Sequence, residues 1–290
     1  MNALWAVILG IIQGLTEFLP ISSTAHLTIA GKLFGVVDAG NPESWTAFMA
    51  VMQLGTMAAV LIYFRMDLWG IVSGILRDLS AGKEGRAAAG WSEQSRLGFA
   101  MVIGTIPVLL AGFFLRHLIE GEATKSTMVI IGSLVCLAAL LWLAEKVARH
   151  AREVGDMTWK DALIVGLAQA MALIPGSSRS GTTMTAALFL GFTRSAAARF
   201  SFLLSIPAVL ASGLYQLYKV IGMMQAGADV FHLGIANLVI ATVVSGLAGY
   251  AAIAWLLRYL MRHTTMIFVW YRFALGILLT LLLMQGVLGS

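Results

Sequence analysis

Two long apolar stretches of this chain are each broken near the middle by a cluster of polar residues, and that pattern restricts the fold more than any other feature. Residues 3 to 35 carry Gln13, Glu17, Pro20, Ser22, Ser23 and His26, and residues 162 to 193 carry Gln169, Pro175, Ser177, Ser178, Arg179 and Ser180. A helix that crosses a bilayer needs about 20 mostly apolar residues. Each stretch is too long for one span, too broken to form one, and too short for two. The reading that fits is a re-entrant hairpin, two half-helices meeting at a polar tip, tolerated only where protein or a wet cavity surrounds the irregular backbone. Lipid is the fitting solvent. Of 290 residues, 59% are hydrophobic and 11% charged, with a mean hydropathy of +0.88, whereas a soluble domain carries about 25% charged residues.

Six uninterrupted apolar stretches, roughly 46 to 65, 97 to 115, 127 to 145, 198 to 219, 235 to 257 and 266 to 288, are long enough to span. The two broken stretches also match each other. Gly10 and Gln13 recur as Gly166 and Gln169, both 156 residues later, and Pro20-Ile-Ser-Ser-Thr recurs as Pro175-Gly-Ser-Ser-Arg, 155 later. Three spans separate the two hairpins, an odd number, so the second enters from the opposite face. The expected architecture is an all-α membrane protein in one integral domain, residues 1–290, with six transmembrane helices and two re-entrant hairpins. Its two halves, about 1–145 and 160–290, form an inverted-topology repeat of the kind found in transporters.

Loop cations set the orientation. Arg65, Arg77, Lys83, Arg86, Arg96, Lys146, Arg149, Arg152, Lys160, Arg194, Arg199, Arg258 and Arg262 collect on one side, and Lys32, Arg116, Lys125 and Lys219 on the other. The richer side is expected to be cytoplasmic, with both termini and the opening of the site facing the periplasm of a bacterial inner membrane. The net charge of +5 does not point to nucleic acid, because no basic block is long enough to form a binding stripe. The single cysteine, Cys136, lies in an apolar run and excludes an intramolecular disulfide and a Cys-based zinc site. Residues 1 to 12 lack a basic n-region and lead into Gln13 and Glu17, so they read as mature protein.

Among the acidic residues only Glu17 lies in the middle of an apolar stretch; among the basic ones only Arg179 and Arg272 lie comparably deep. An ionised group at the bilayer centre costs about 2.5–3.5 kcal/mol on insertion scales, so opposite charges on the two tips are expected to pair. Gln13 and Glu17 are four residues apart and share a helix face. Ser22 or Ser23 is placed to cap the helix that starts after Pro20. Ser23 and His26, three apart, can then approach each other. Glu17, Ser23 and His26 supply a carboxylate, a hydroxyl and an imidazole, the set used in nucleophilic or general acid–base catalysis, with Ser22 and Thr24 beside them for substrate. The second tip reads as an anion cradle. Gly176 and Gly181 permit close backbone approach, a half-helix N-terminus offers free N–H groups, Ser178, Ser180 and Thr183 offer hydroxyls, and Arg179 a planar fork. Phosphate is the most economical ligand, and carboxylate is the alternative. Arg272, flanked by Trp270 and Tyr271, reads either as a further substrate ligand or as an interfacial anchor.

At these residues the sequence resembles the undecaprenyl-diphosphate phosphatase family, bacterial membrane enzymes linked to bacitracin resistance. The resemblance rests on Gln13-Gly-Leu-Thr-Glu17 running into Phe-Leu-Pro-Ile-Ser-Ser-Thr-Ala-His26, on Pro175-Gly-Ser-Ser-Arg-Ser-Gly-Thr-Thr183, and on Arg199-Phe-Ser-Phe-Leu-Leu and Tyr271-Arg272-Phe. It implies hydrolysis of a C55 isoprenyl diphosphate to the monophosphate and phosphate, recycling the lipid carrier of peptidoglycan synthesis. It also implies a divalent cation, Mg or Ca, for which Glu17 is the candidate ligand, since Gln13 stands where many members have a carboxylate. On this reading Glu17, Ser23, His26 and Arg179 are catalytic, with Ser23 or His26 as nucleophile. Gln13, Ser22, Thr24, Ser178, Ser180, Thr183 and Arg272 bind substrate. A transporter or flippase of a polyisoprenyl phosphate or other anion is the rival reading, and the oligomeric state is open between monomer and homodimer.

Overall fold

The computed structural model describes residues 2–36, 42–82, 90–115, 126–225 and 234–286. Within them the chain forms eleven α-helices: α1 (Ala3–Phe18), α2 (Ser23–Leu33), α3 (Pro42–Tyr63), α4 (Arg65–Ser80), α5 (Glu93–Phe114), α6 (Thr127–Val147), α7 (Trp159–Met171), α8 (Arg179–Phe189), α9 (Arg194–Gln225), α10 (Ile235–Leu260) and α11 (Met266–Met284). There is no strand among the described residues, and one isolated bridge joins Arg152 to Phe192. Lys83, Arg86, Arg116 and Lys125, counted above for orientation, lie outside the described residues.

Five helices, α5, α6, α9, α10 and α11, are long and apolar enough to cross a membrane. A sixth candidate is the α3–α4 pair, bent by 66° at Phe64. The bulk of the apolar surface points outward: Phe113, Leu247 and Met284 are each at least 70% exposed. In water such a surface would drive aggregation; here it is the face turned to lipid, so the chain is a multi-pass membrane protein. α4 was not foreseen. Its first and last turns carry Arg65, Asp67, Arg77 and Asp78 while Met66, Trp69, Val72 and Leu76 are exposed, a mixture that hydropathy reads as a loop.

The two broken stretches fold alike. α1 stops at Phe18 because Leu19 precedes Pro20 and is extended (φ −70°, ψ 142°), as sterics at a pre-proline residue require. The chain re-enters helix at Ser23 after Ser22 turns into the left-handed region (φ 73°), where its hydroxyl caps the Ala25 N–H. In the second stretch Ser178 does the same (φ 67°) and caps the Gly181 N–H. A non-glycine residue held there costs about 1–2 kcal/mol. The cap serines, Ser22 and Ser178, are 156 residues apart, so the one-residue slip seen after the prolines is absorbed within the break. Ser23 therefore corresponds to Arg179, not to Ser178. At the far ends of α7 and α8, the Arg152 fork donates to both oxygens of Asp161 (3.1 and 2.6 Å) and to the Leu190 carbonyl (3.1 Å), tying the two together.

Glycines let these half-helices lie close to long ones. A Cβ on Gly14 of α1 would sit 2.6 Å from the Ser245 carbonyl of α10, and one on Gly166 of α7 would sit 2.2 Å from the Gly104 carbonyl of α5. Small residues at such crossings are how membrane helices maximise van der Waals contact without a hydrophobic driving force. Gly166→Val should therefore destabilise the protein by about 1–3 kcal/mol, read as a lowered melting temperature by tryptophan fluorescence in detergent. Gly132→Ala, at a position where a Cβ meets nothing within 4 Å, should show no loss.

Candidate active site

The two breaks meet on one carboxylate. Glu17, at the end of α1, is buried, and each of its oxygens accepts two hydrogen bonds. Oε1 takes the Arg179 guanidinium and Gln53 Nε2 (3.0 Å); Oε2 takes Gln13 Nε2 (3.1 Å) and Ser23 Oγ (2.8 Å). A carboxylate has about four acceptor sites, so Glu17 is saturated by donors from α1, α2, α3 and α8. Ser23 and Arg179 are the first residues of α2 and α8. Their helices point N-terminal ends, with free N–H groups and partial positive charge, toward the same place.

Above this cluster opens a cavity of about 510 Å³. Its floor is polar, formed by Glu17, Ser22, Ser23, Thr24 and Gln53 with Ser178 and Arg179, and Gln169 lies just behind it. Its walls are largely apolar, from Val108, Leu109, Gly112 and Phe113 of α5 and from Ala208, Ala211 and Tyr215 of α9. The polar floor suits a phosphate group and the walls suit a hydrocarbon chain.

Several expected ligands are used otherwise. Ser180 Oγ donates across the tips to the Leu19 carbonyl (3.0 Å). Thr183 is fully buried, bonded to the Arg179 carbonyl (2.8 Å) and to Ser201 Oγ (2.6 Å). Gln13 braces Glu17 and does not line the cavity. His26 turns the other way. Its Nδ1–H donates to the Ser22 carbonyl (2.7 Å), and Nε2 accepts from the Tyr271 hydroxyl (2.6 Å). The carbonyl can only accept, which fixes the tautomer. The ring stacks on Tyr271 and faces a separate apolar groove with Ile11, Leu15, Ile29 and Leu275. No hydrogen bond joins Ser23 to His26 among the described residues.

Arg272 is neither an interfacial anchor nor part of the cavity lining. It is 0% exposed and its partners are backbone carbonyls: Leu134 (3.1 Å), Pro20 (3.1 Å), Gly176 (3.3 Å) and Ser177 (3.2 Å). The Pro20, Gly176 and Ser177 carbonyls lie in the non-helical breaks after α1 and α7, so one guanidinium clasps both breaks. Sequence reasoning also missed Gln53, although a lone amide in the apolar stretch 46–65 is the same signal that singled out Gln13.

A resident divalent cation does not fit this donor set. Every acceptor site on Glu17 is taken, one of them by a guanidinium, and among the described residues no three His, Cys, Asp or Glu side chains cluster in a way that could hold a metal.

Comparison with known proteins agrees with the geometry. The family model described as bacitracin resistance protein BacA matches residues 6–278. The chain belongs to that BacA family. Among its relatives, the undecaprenyl-diphosphatase of Syntrophobacter fumaroxidans is 52% identical over 95% of each chain. That of Chloroherpeton thalassium is 48% identical over the full length of both, and that of Myxococcus xanthus 49% identical over all of this chain and 92% of its own. Within this BacA-family site, Arg272 has a structural task that can be measured. Arg272→Met removes the donor shared by three carbonyls of the two breaks, Pro20, Gly176 and Ser177, and should lower stability by about 3 kcal/mol or more. Arg272→Lys, which keeps charge but not the fork, should recover less than half of that in the same melting experiment.

Proposed function

We propose that this protein hydrolyses undecaprenyl diphosphate to undecaprenyl phosphate and inorganic phosphate, with Ser23 as nucleophile and Glu17 as its base. The observation that carries the assignment is the 2.8 Å hydrogen bond from Ser23 Oγ to Glu17 Oε2, made beside Arg179 on the floor of a cavity with hydrocarbon-compatible walls. The full-length relatives named as undecaprenyl-diphosphatases support the substrate.

The diphosphate enters tail-outward along the α5–α9 walls and meets Arg179, whose planar fork exchanges the Glu17 carboxylate for phosphate oxygens. Ser178 and the N-terminal N–H groups of α2 and α8 add donors for the charge. Ser23 Oγ attacks the terminal phosphorus in line, and its proton passes to Glu17. The P–O bond to the lipid phosphate breaks, and the lipid monophosphate leaves with the bonding electron pair. Glu17 gives that proton to the departing monophosphate. Water then attacks the phosphoserine, Glu17 takes the water's proton, and it returns that proton to Ser23 Oγ as the Ser–O–P bond breaks and inorganic phosphate leaves. Phosphoryl transfer demands positioning and charge stabilisation above all, and both are built into two helix ends held by one carboxylate. His26 serves here by fixing the Ser22 carbonyl at the strained cap, not by taking the Ser23 proton. A divalent cation, implied by the family resemblance, would on this reading be held by the substrate's own phosphates and would offset their charge.

The same reading assigns α1–α2 and α7–α8 as re-entrant hairpins of an inverted repeat. Support comes from the matching left-handed cap serines and from helix packing in which α1 crosses α10 as α7 crosses α5. The cavity walls lie toward the C-terminal end of α5 and run from the middle of α9 toward its C-terminal end, toward the side poor in loop cations. With the positive-inside rule, that side is the periplasmic face of the inner membrane.

Ser23→Ala should lower kcat for phosphate release at least about a thousandfold with only a small drop in melting temperature. Arg179→Ala should lower kcat/KM by about a hundred- to a thousandfold and clearly lower the melting temperature as well, because it leaves the buried Glu17 carboxylate without its charge partner. Wild-type turnover by Ser23→Ala would remove the serine from the mechanism. For the wall, Gly112 has open space where a side chain would go. Gly112→Trp should raise KM for a C55 substrate about tenfold and leave KM for a C15 isoprenyl diphosphate unchanged; equal effects on both would place the tail elsewhere.

A further inference from the structure

Gln169 presents an unusual combination. It is 0% exposed and sits just behind the cavity floor, yet neither its amide nitrogen nor its amide oxygen has a hydrogen-bond partner among the described residues. A buried amide left unsatisfied is costly, about 1–3 kcal/mol per group, and native proteins rarely tolerate one.

The internal repeat explains how the orphan arises. Gln13, its counterpart 156 residues earlier, donates to Glu17 Oε2 at 3.1 Å, four residues further along the same helix face. The position equivalent to Glu17 is Leu173, which lines the cavity. In the second half of the chain the amide has been kept while the anionic oxygen it would serve has been replaced by an apolar side chain. The cavity that this amide borders is the one holding Arg179 and Ser178, the cationic and hydroxyl side of the floor. An anionic oxygen brought there by a ligand takes the place of the missing carboxylate.

We infer that Gln169 is a substrate-binding residue, its Nε2–H group donating to a non-bridging phosphate oxygen of the diphosphate. This rests on the hydrolase reading above and extends it to the α7 side of the site. The lost carboxylate is what makes room: a Glu at 173 would add a second negative charge beside Glu17, which already pairs with Arg179, and would repel the substrate, whereas Leu173 leaves the Gln169 amide available to phosphate. In the free protein the orphaned amide is a local instability that the substrate relieves, an arrangement typical of sites that trade stability for function.

The test uses purified full-length protein in detergent, with methylenediphosphonate as a non-hydrolysable probe in calorimetric titration and C55 isoprenyl diphosphate in kinetics. Gln169→Leu should weaken probe binding by about ten- to a hundredfold, the worth of one hydrogen bond to a charged group, while raising the melting temperature of the free protein. Gln169→Glu should weaken binding further through repulsion, and Gln169→Asn, which keeps the amide on a shorter stem, should fall between Gln169→Leu and the parent. A Gln169→Leu protein that binds the probe as the parent does, or that loses stability as it loses binding, would overturn the inference and assign the residue to packing. Failure of the parent itself to bind the probe and release phosphate would instead count against the hydrolase reading.

Discussion

One buried carboxylate organises this protein. Glu17 sits where an isolated charge is costly, and its stability there depends on four donors arriving from four helices. Two of those donors, Ser23 and Arg179, can reach it only if α1–α2 and α7–α8 are both broken and both turn their new helix ends toward the same point. The breaks are thus a requirement of the charge and the charge a requirement of the breaks. A continuous helix in either stretch would leave Glu17 unpaired in an apolar interior.

Interrupting a helix inside a membrane frees backbone groups that lipid cannot satisfy, and the protein answers with side chains. Ser22 and Ser178 cap the re-entering helices from left-handed backbone. Arg272 gathers carbonyls from both breaks, and Ser180 bonds across to the Leu19 carbonyl. His26 and Tyr271 secure the Ser22 carbonyl from the opposite side. Much of the polar material in the two motifs is spent on holding the tips, which leaves a small set, Glu17, Ser23, Thr24, Ser178 and Arg179 with Gln169, at the cavity. That economy suits phosphoryl transfer, in which rigid placement of charge does most of the work.

The pairing of Glu17 with Arg179 was legible in the sequence because two lone opposite charges in apolar stretches have few other ways to be satisfied. The helical spans were legible by length. Side-chain direction was not. Ser23 and His26 are three residues apart, a spacing compatible with contact, yet the Nδ1–H bond to Ser22 turns the imidazole away from the hydroxyl. Arg272 looked interfacial because Trp270 and Tyr271 flank it, but neighbours along a helix face different ways, and the arginine faces inward. Gln53 joins the site from a helix whose sequence carries no motif; its lone amide in an apolar stretch is a signal that it needs a partner, and the tertiary structure shows that the partner is Glu17. α4 escaped notice because its apolar residues face outward, one helical stripe among charges rather than a continuous run.

The most direct test of the account is the identity of the phosphorylated residue during turnover. Undecaprenyl diphosphate radiolabelled in its terminal phosphate, mixed with the protein and quenched within a single turnover, should leave label on the peptide that spans α1 and α2, with fragmentation mass spectrometry placing the phosphate on Ser23. Label on His26 would contradict the account, because it would require the imidazole that the structure commits to Ser22 and Tyr271 to face the substrate instead.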